Sequence, residues 1–256
     1  MSHVECPIPP VAGTLNSPVF WDSLSWILLE FSRVIIDDSP WARWLWRLLK
    51  ATTGTSLSYA TFQRLWYDCY VVPTCFFREP CEGALKAVLS ALKVPTTLAD
   101  EMSLAAMAKR RTFEESEHAV PGVRETLHKI RSLGYCVALL AICDCSDSHL
   151  ERRLGRAQLN GLFDRVIQPD ANLSVARCLD KSVVEGWWHH IPKLLHCVPQ
   201  EIVFLSAFAP HLAAARRAGM HAVGIDIEGE PWDGPRVACL HELLRHTPER
   251  KKRLAV

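Results

Sequence analysis

Short, continuous apolar runs that alternate with helix-like segments constrain this chain more than any other feature. Tyr135-Cys-Val-Ala-Leu-Leu-Ala-Ile142, Arg165-Val-Ile167, Ile202-Val-Phe-Leu205 and Ala222-Val-Gly-Ile225 read as strands. An earlier run, Ile27-Leu-Leu-Glu-Phe-Ser-Arg-Val-Ile-Ile36, reads as a central strand with its exit loop. Strands that are apolar on both faces belong to a parallel sheet covered by helices on each side. The expected fold class is therefore α/β, with a Rossmann-like parallel sheet core.

Between residues 41 and 116 the strand signal vanishes. Asp37-Asp-Ser-Pro40 is a helix-start signal, with Ser39 as N-cap and Pro40 at the first helical position. The helix from Trp41 gathers Trp41, Trp44, Leu45 and Leu48 on one face and Arg43, Arg47 and Lys50 on the other. Helix-like segments follow at 61–70, 81–92 and 98–110. These features predict a helical insertion after the first strand. The expected organisation is an N-terminal arm over 1–24, a core over 25–37 and 117–256, and a helical cap over 38–116. In the core, Val123, Leu127 and Ile130 recur at helical spacing before Gly134, and another helix surrounds His149 to Leu154. Trp187, Ile191 and Leu194 give a later helix a core face, which Pro192 should kink or shorten.

Hydrophobic residues make up 49% of the 256 and charged residues 22%, enough apolar material for a sizeable core. A formal charge of +1 excludes the basic excess that nucleic-acid binding requires. The basic run Arg250-Lys-Lys-Arg253 reads as a solvated end. Trp26 to Ile36 is too short for a membrane span of about 20 residues, and Glu30 and Arg33 interrupt it. The ten cysteines are scattered and include no CxxC pair, and the first residues lack a secretory pattern. A cytoplasmic protein with reduced thiols is the expectation.

The segment Ile202-Val-Phe-Leu-Ser-Ala-Phe-Ala-Pro-His-Leu-Ala-Ala-Ala-Arg-Arg-Ala-Gly-Met220 resembles the fourth motif of the haloacid-dehalogenase-like (HAD) hydrolases. In that motif a strand, a metal-binding loop and a helix end in Ala-Arg-x-Ala-Gly-Met. Three more segments resemble the family's other motifs, in order. Leu29-Glu-Phe-Ser-Arg is similar to the first, placing Glu30 at the nucleophile, Ser32 at the general acid and Arg33 at a glycine. A rival register offers Asp22 as the nucleophile, with Leu24 at the acid. Leu139-Leu-Ala-Ile-Cys-Asp-Cys is similar to the second, with Cys143 where a hydroxyl holds the phosphoryl group and Asp144 where Asn stands. Lys181 falls near the position of the family's lysine, without the usual Pro after it.

The resemblance implies a phosphate-ester or haloacid hydrolase with Mg²⁺ in many members, but its chemistry-bearing residues are largely replaced here. Glutamate is one methylene longer than aspartate, and a misplacement of about 1 Å can cost roughly 10²-fold. Ser32 is a poor proton donor near neutral pH, and general acid catalysis contributes about 10²–10⁴. Mg²⁺ prefers carboxylate oxygens, and none lies between Ser206 and His211. No metal or other cofactor is expected. His211 reads as a solvated or capping residue, and the adjacent His189 and His190 cannot face one metal from a helix. Cys143 or Cys145, at a strand exit beside a helix start, is a candidate reactive thiol.

Three functions remain open. The first is a HAD-like protein without hydrolytic activity, binding a small phosphorylated or acidic ligand between cap and core. The second is an active hydrolase that uses Glu30 or Asp22 with Lys181. The third is an interaction protein that presents the Trp-rich face of the helix from Trp41.

Overall fold

In the computed structural model, the described residues are 15–54, 56–76, 81–143, 145–169, 181–227 and 231–249. Six strands form one parallel sheet in the order β3-β2-β1-β4-β5-β6: β1 Trp26–Glu30, β2 Cys136–Leu140, β3 Arg165–Ile167, β4 Ile202–Ser206, β5 His221–Ile225 and β6 Arg236–Val237. Every described pairing is parallel, and the register sets Leu28 beside Ala138 on one side and Phe204 on the other. The chain winds outward from β1 through β2 to β3, then returns to the other side of β1 through β4.

The pleat sends alternate residues to opposite layers. Ile27, Leu29, Val203 and Leu205 pack with Leu127, Ile130 and Leu150 of α6 (Val123–Ser132) and α7 (Asp147–Arg156). Leu28 and Phe204 pack on the other face, with Trp188 of α8 (Lys181–Trp188), Ile191 of α9 (Ile191–Leu194) and Leu212 of α10 (Ala209–Arg217). Pro192 interrupts the predicted helix as expected. It also shifts the helical phase: Leu195 is buried, whereas Leu194, expected in the core, is 39% exposed. After α10, Gly219 takes φ +85°, and a Cβ there would come within 3.3 Å of Pro199.

Between β1 and α6 the described residues form four α-helices, α2 Ser39–Thr53, α3 Tyr59–Trp66, α4 Cys81–Ala91 and α5 Thr96–Glu115, with a π-helix at Tyr67–Phe76. They share an apolar core of their own around Leu45, Leu49, Phe62, Leu85 and Ala106. The helix start is displaced by one residue from expectation. Asp38 holds the cap position, Ser39 is already helical, and its hydroxyl donates to Asp37 Oδ1 at 2.6 Å. The tryptophan face of α2 packs inward. Trp41 is buried, its indole N–H donates to the Ala106 carbonyl at 3.0 Å, and Trp46 donates to the Leu57 carbonyl. A face so engaged is not a free partner-binding surface, which removes the main support for the interaction reading.

The two connectors between this helical layer and the sheet run side by side. Ile36 forms an antiparallel bridge with Ala119, and Val120 N–H donates to the Ile35 carbonyl at 2.9 Å. Among the described residues, no helix is long and apolar enough to cross a membrane.

Candidate functional site

β1 is the strand from which the chain departs in both directions, and the crevice of an open α/β sheet lies beyond the carboxyl end of such a strand. Glu30 is the last residue of β1, and Ser206 the last of the adjacent β4. Pleat parity puts Glu30 on the face of Leu28 and Ser206 on that of Phe204, the layer that α10 covers. Three side chains meet there. Ser206 Oγ donates to Glu30 Oε2, and His211 Nδ1, from the first turn of α10, donates to Glu30 Oε1 at 2.6 Å. Ser206 Oγ also accepts the Phe208 N–H at 2.8 Å, which fixes the loop into α10.

All three are buried: Glu30 and His211 are 1% exposed and Ser206 is 0% exposed. A buried carboxylate left unpaired is costly, so the two donors are what make Glu30 tolerable there. The His211 ring is wedged among Tyr67, Trp188 and Phe208, with centroids 5.1, 5.6 and 5.6 Å away. Its Nε2 is buried and has no hydrogen-bond partner. His211 was expected to be solvated or capping, and its burial corrects that reading. The missed signal was its phase: His211 shares the buried side of α10 with Leu212, Ala214 and Ala215.

Ser32 and Arg33 sit in the tight turn that leaves β1, where the Ile36 N–H donates to the Phe31 carbonyl at 3.0 Å and the Arg33 N–H to the Ile36 carbonyl at 2.7 Å. Arg33 adopts φ +64°, a left-handed conformation that favours glycine. The backbone thus keeps a glycine's shape while carrying an arginine. The Arg33 guanidinium donates to the Asp226 carbonyl at 3.1 Å, lies 3.7 Å from the Asp226 carboxylate and stacks over Phe208. Ser32 hydrogen-bonds to Asp38, whose carboxyl is pushed above its ordinary range chiefly by burial.

Cys143 is buried just past β2, and its thiol is held well above the ordinary range, first by its hydrogen bond with Cys145 and then by burial. A nucleophilic thiol needs the opposite shift, so the structure argues against a reactive Cys143. Cys145 accepts from Arg153 at 3.1 Å. Asp144 lies outside the described residues. Lys181 begins α8, and its side chain is also outside the description. Asp22 is exposed on α1 (Pro18–Ser23), ahead of β1 and so at the opposite end of the sheet from the crevice. That placement sets Asp22 apart from Glu30 and the crevice.

The Mg²⁺ that the motif resemblance implies does not fit these residues. Both Glu30 oxygens accept hydrogen bonds, the Ser206–His211 loop contains no carboxylate, and Asp226 turns toward Arg33. Among the described residues, no three His, Cys, Asp or Glu side chains are grouped to hold a metal ion.

Above Glu30 a cleft of about 120 Å³ opens between the sheet and the helical layer. The π-helix brings Tyr67 over His211 and stacks Tyr70 on Trp66 with centroids 4.1 Å apart. Such wide helical turns recur at functional sites. Burial, and then the nearby Glu30, hold the Tyr67 phenol well above its ordinary range, so it stays neutral. At the rim, Arg153 grips Glu117 through two bonds of 2.8 and 2.6 Å. Burial nonetheless lifts the Glu117 carboxyl to about 7.

The parallel sheet, its strand order and the helical layer after β1 define the Rossmann-like fold of the HAD hydrolases. Solved structures of that superfamily align over most of the chain. An L-2-haloacid dehalogenase is 18% identical, covers 88% of this chain and 98% of its own, and gives a TM-score of 0.61. A dehalogenase solved with an intermediate complex is 20% identical over 90% and 99%, at 0.58. A HAD-family hydrolase from Deinococcus radiodurans R1, with bound phosphate and sodium, is 17% identical over 90% of each chain, at 0.53. By sequence, no family model and no curated protein matches the chain.

Proposed function

We propose that this chain is a HAD-like protein whose cleft binds a ligand without hydrolysing it. The observation that carries the reading is the state of Glu30. The carboxylate at the nucleophile position is buried and has both oxygens engaged, by Ser206 and by His211. A nucleophile needs a lone pair free in the direction of the substrate. Ser32 is bonded to Asp38 and supplies no acid of useful strength, a deficit of about 10²–10⁴. The misfit to Mg²⁺ removes the electrostatic stabilisation that a metal would add.

Turnover of p-nitrophenyl phosphate tests the reading, with and without Mg²⁺, for the wild type beside Glu30→Ala. The expected result is no rate above the variant at any Mg²⁺ concentration. A wild-type rate that Glu30→Ala abolishes overturns it.

One observation favours a second reading. A carboxylate holding Nδ1 of a histidine that lines a cleft is the arrangement that orients a histidine as a general base. Hydrolysis of a haloacid would then run through water activated by His211. Release of halide from L-2-chloropropionate, lost in His211→Phe, would select this reading over the first.

A further inference from the structure

Two buried acceptors on the cleft wall have no donor. One is His211 Nε2, buried and without a partner: when Nδ1–H is given to Glu30, an uncharged imidazole carries its lone pair there. The other is Gln63 Oε1, contributed by α3. Both side chains line the same 120 Å³ cavity. Buried polar groups in folded proteins are nearly always satisfied, so two orphans on one cavity wall point to a donor supplied from outside the chain.

The charges of the wall argue against an anion. Arg33 is engaged by Asp226, Arg110 by Glu114 at 2.7 Å and by the Tyr70 hydroxyl at 2.7 Å, and Arg153 by Glu117 and Cys145. An incoming phosphate would have to displace those partners and would still meet Glu30 and Asp38. This disfavours the phosphorylated or acidic ligand that the sequence suggested. The rest of the wall is aromatic, with Trp66 and Tyr70 stacked and Trp41 edge-on to both. Aromatic faces prefer offset or edge-on rings. A closed apolar cavity of about 150 Å³ accepts benzene; this cleft is smaller, about 120 Å³, but open on one side, which limits a ligand to a single ring.

We propose that the cleft takes an uncharged, single-ring aromatic molecule that donates a hydrogen bond to His211 Nε2. The assignment deepens the non-hydrolytic reading of the same cleft and rests on it.

The test titrates phenol, toluene, inorganic phosphate and tetramethylammonium into the full chain. Heat and the ¹⁵N shift of His211 Nε2 are followed together. Phenol should bind about tenfold more tightly than toluene, the worth of one hydrogen bond, and should move the Nε2 resonance. In His211→Phe the preference should vanish. Ala42→Trp fills the wall without touching Glu30, Ser206 or His211, and should abolish binding of both rings even if the His211 variant fails to fold. Phenol binding no better than toluene, phosphate or tetramethylammonium binding more tightly than phenol, or no binding at all overturns the proposal. The p-nitrophenyl phosphate assay on the same sample separates the two claims. No turnover with no phenol binding sinks only the ligand class, whereas turnover sinks the non-hydrolytic reading beneath it.

Discussion

Glu30 Oε1 and His211 Nδ1 lie 2.6 Å apart, both buried, and 181 residues separate them in the chain. The contact ties the end of the first strand to the first turn of α10. Removing the carboxylate leaves an imidazole N–H and a serine hydroxyl without an acceptor. Glu30→Ala should therefore cost about 3 kcal/mol. Glu30→Gln keeps an acceptor oxygen for His211, and its amide N–H can donate to the Ser206 hydroxyl, so it should cost roughly 1 kcal/mol. Urea unfolding of both variants reads the difference, and equal losses would show that the network contributes little.

Arg33 supplies a second comparison. Both Arg33→Gly and Arg33→Ala lose the contacts with Asp226 and Phe208, but only alanine retains a side chain at φ +64°. The glycine variant should be more stable than the alanine variant by about 1 kcal/mol. A reversed order in thermal unfolding would mean that the turn relaxes once the guanidinium is gone.

Glu117 sets a pH dependence with an unusual sign. Its folded-state carboxyl is raised to about 7 by burial, from an ordinary value of 4.5. The folded form then binds more protons than the unfolded form between those values, so this group's contribution falls as pH rises from about 4.5 to 7 and levels off above. The Tm of the wild type should decline through that window relative to Glu117→Gln. Parallel Tm curves would show that Arg153 keeps the carboxyl charged throughout.

The cysteines should divide by environment. Cys143 and Cys145 are buried, with Cys143 pushed well above the ordinary thiol range by Cys145 and by burial, whereas Cys239 is exposed. Iodoacetamide at pH 8 should label Cys239 in the native protein and reach Cys143 only after unfolding. Rapid native labelling of Cys143, read by peptide mass spectrometry, would revive the reactive-thiol idea.

The sheet was legible because its inner strands are continuous apolar runs, and four of them begin or end within a residue or two of the observed bounds. β6 was missed because two residues, Arg236 and Val237, carry no periodicity. The π-helix was missed because Tyr67 to Phe76 has the composition of any apolar helix, and the i+5 spacing leaves no mark on residue type. At the site, the motif resemblance put Glu30 at the exit of the first strand and Ser206 in the loop of the fourth motif, but their adjacency came only with the strand order. The resemblance did not place His211, because the pairing depends on how far α10 rotates after Pro210, a tertiary quantity. The α2 tryptophans were visible as a face, but nothing in the residues said which side the other helices would cover.

The clasp at Arg153 bears on how a ligand could come and go. Its guanidinium holds Glu117 on the returning connector, and its charge acts on Asp38 on the outgoing one. Those connectors are also bridged to each other at Ile36 and Ala119. Swinging the helical layer away would have to release the Arg153–Glu117 clasp and the Ile36–Ala119 bridge together, so the two ties act as one hinge rather than two.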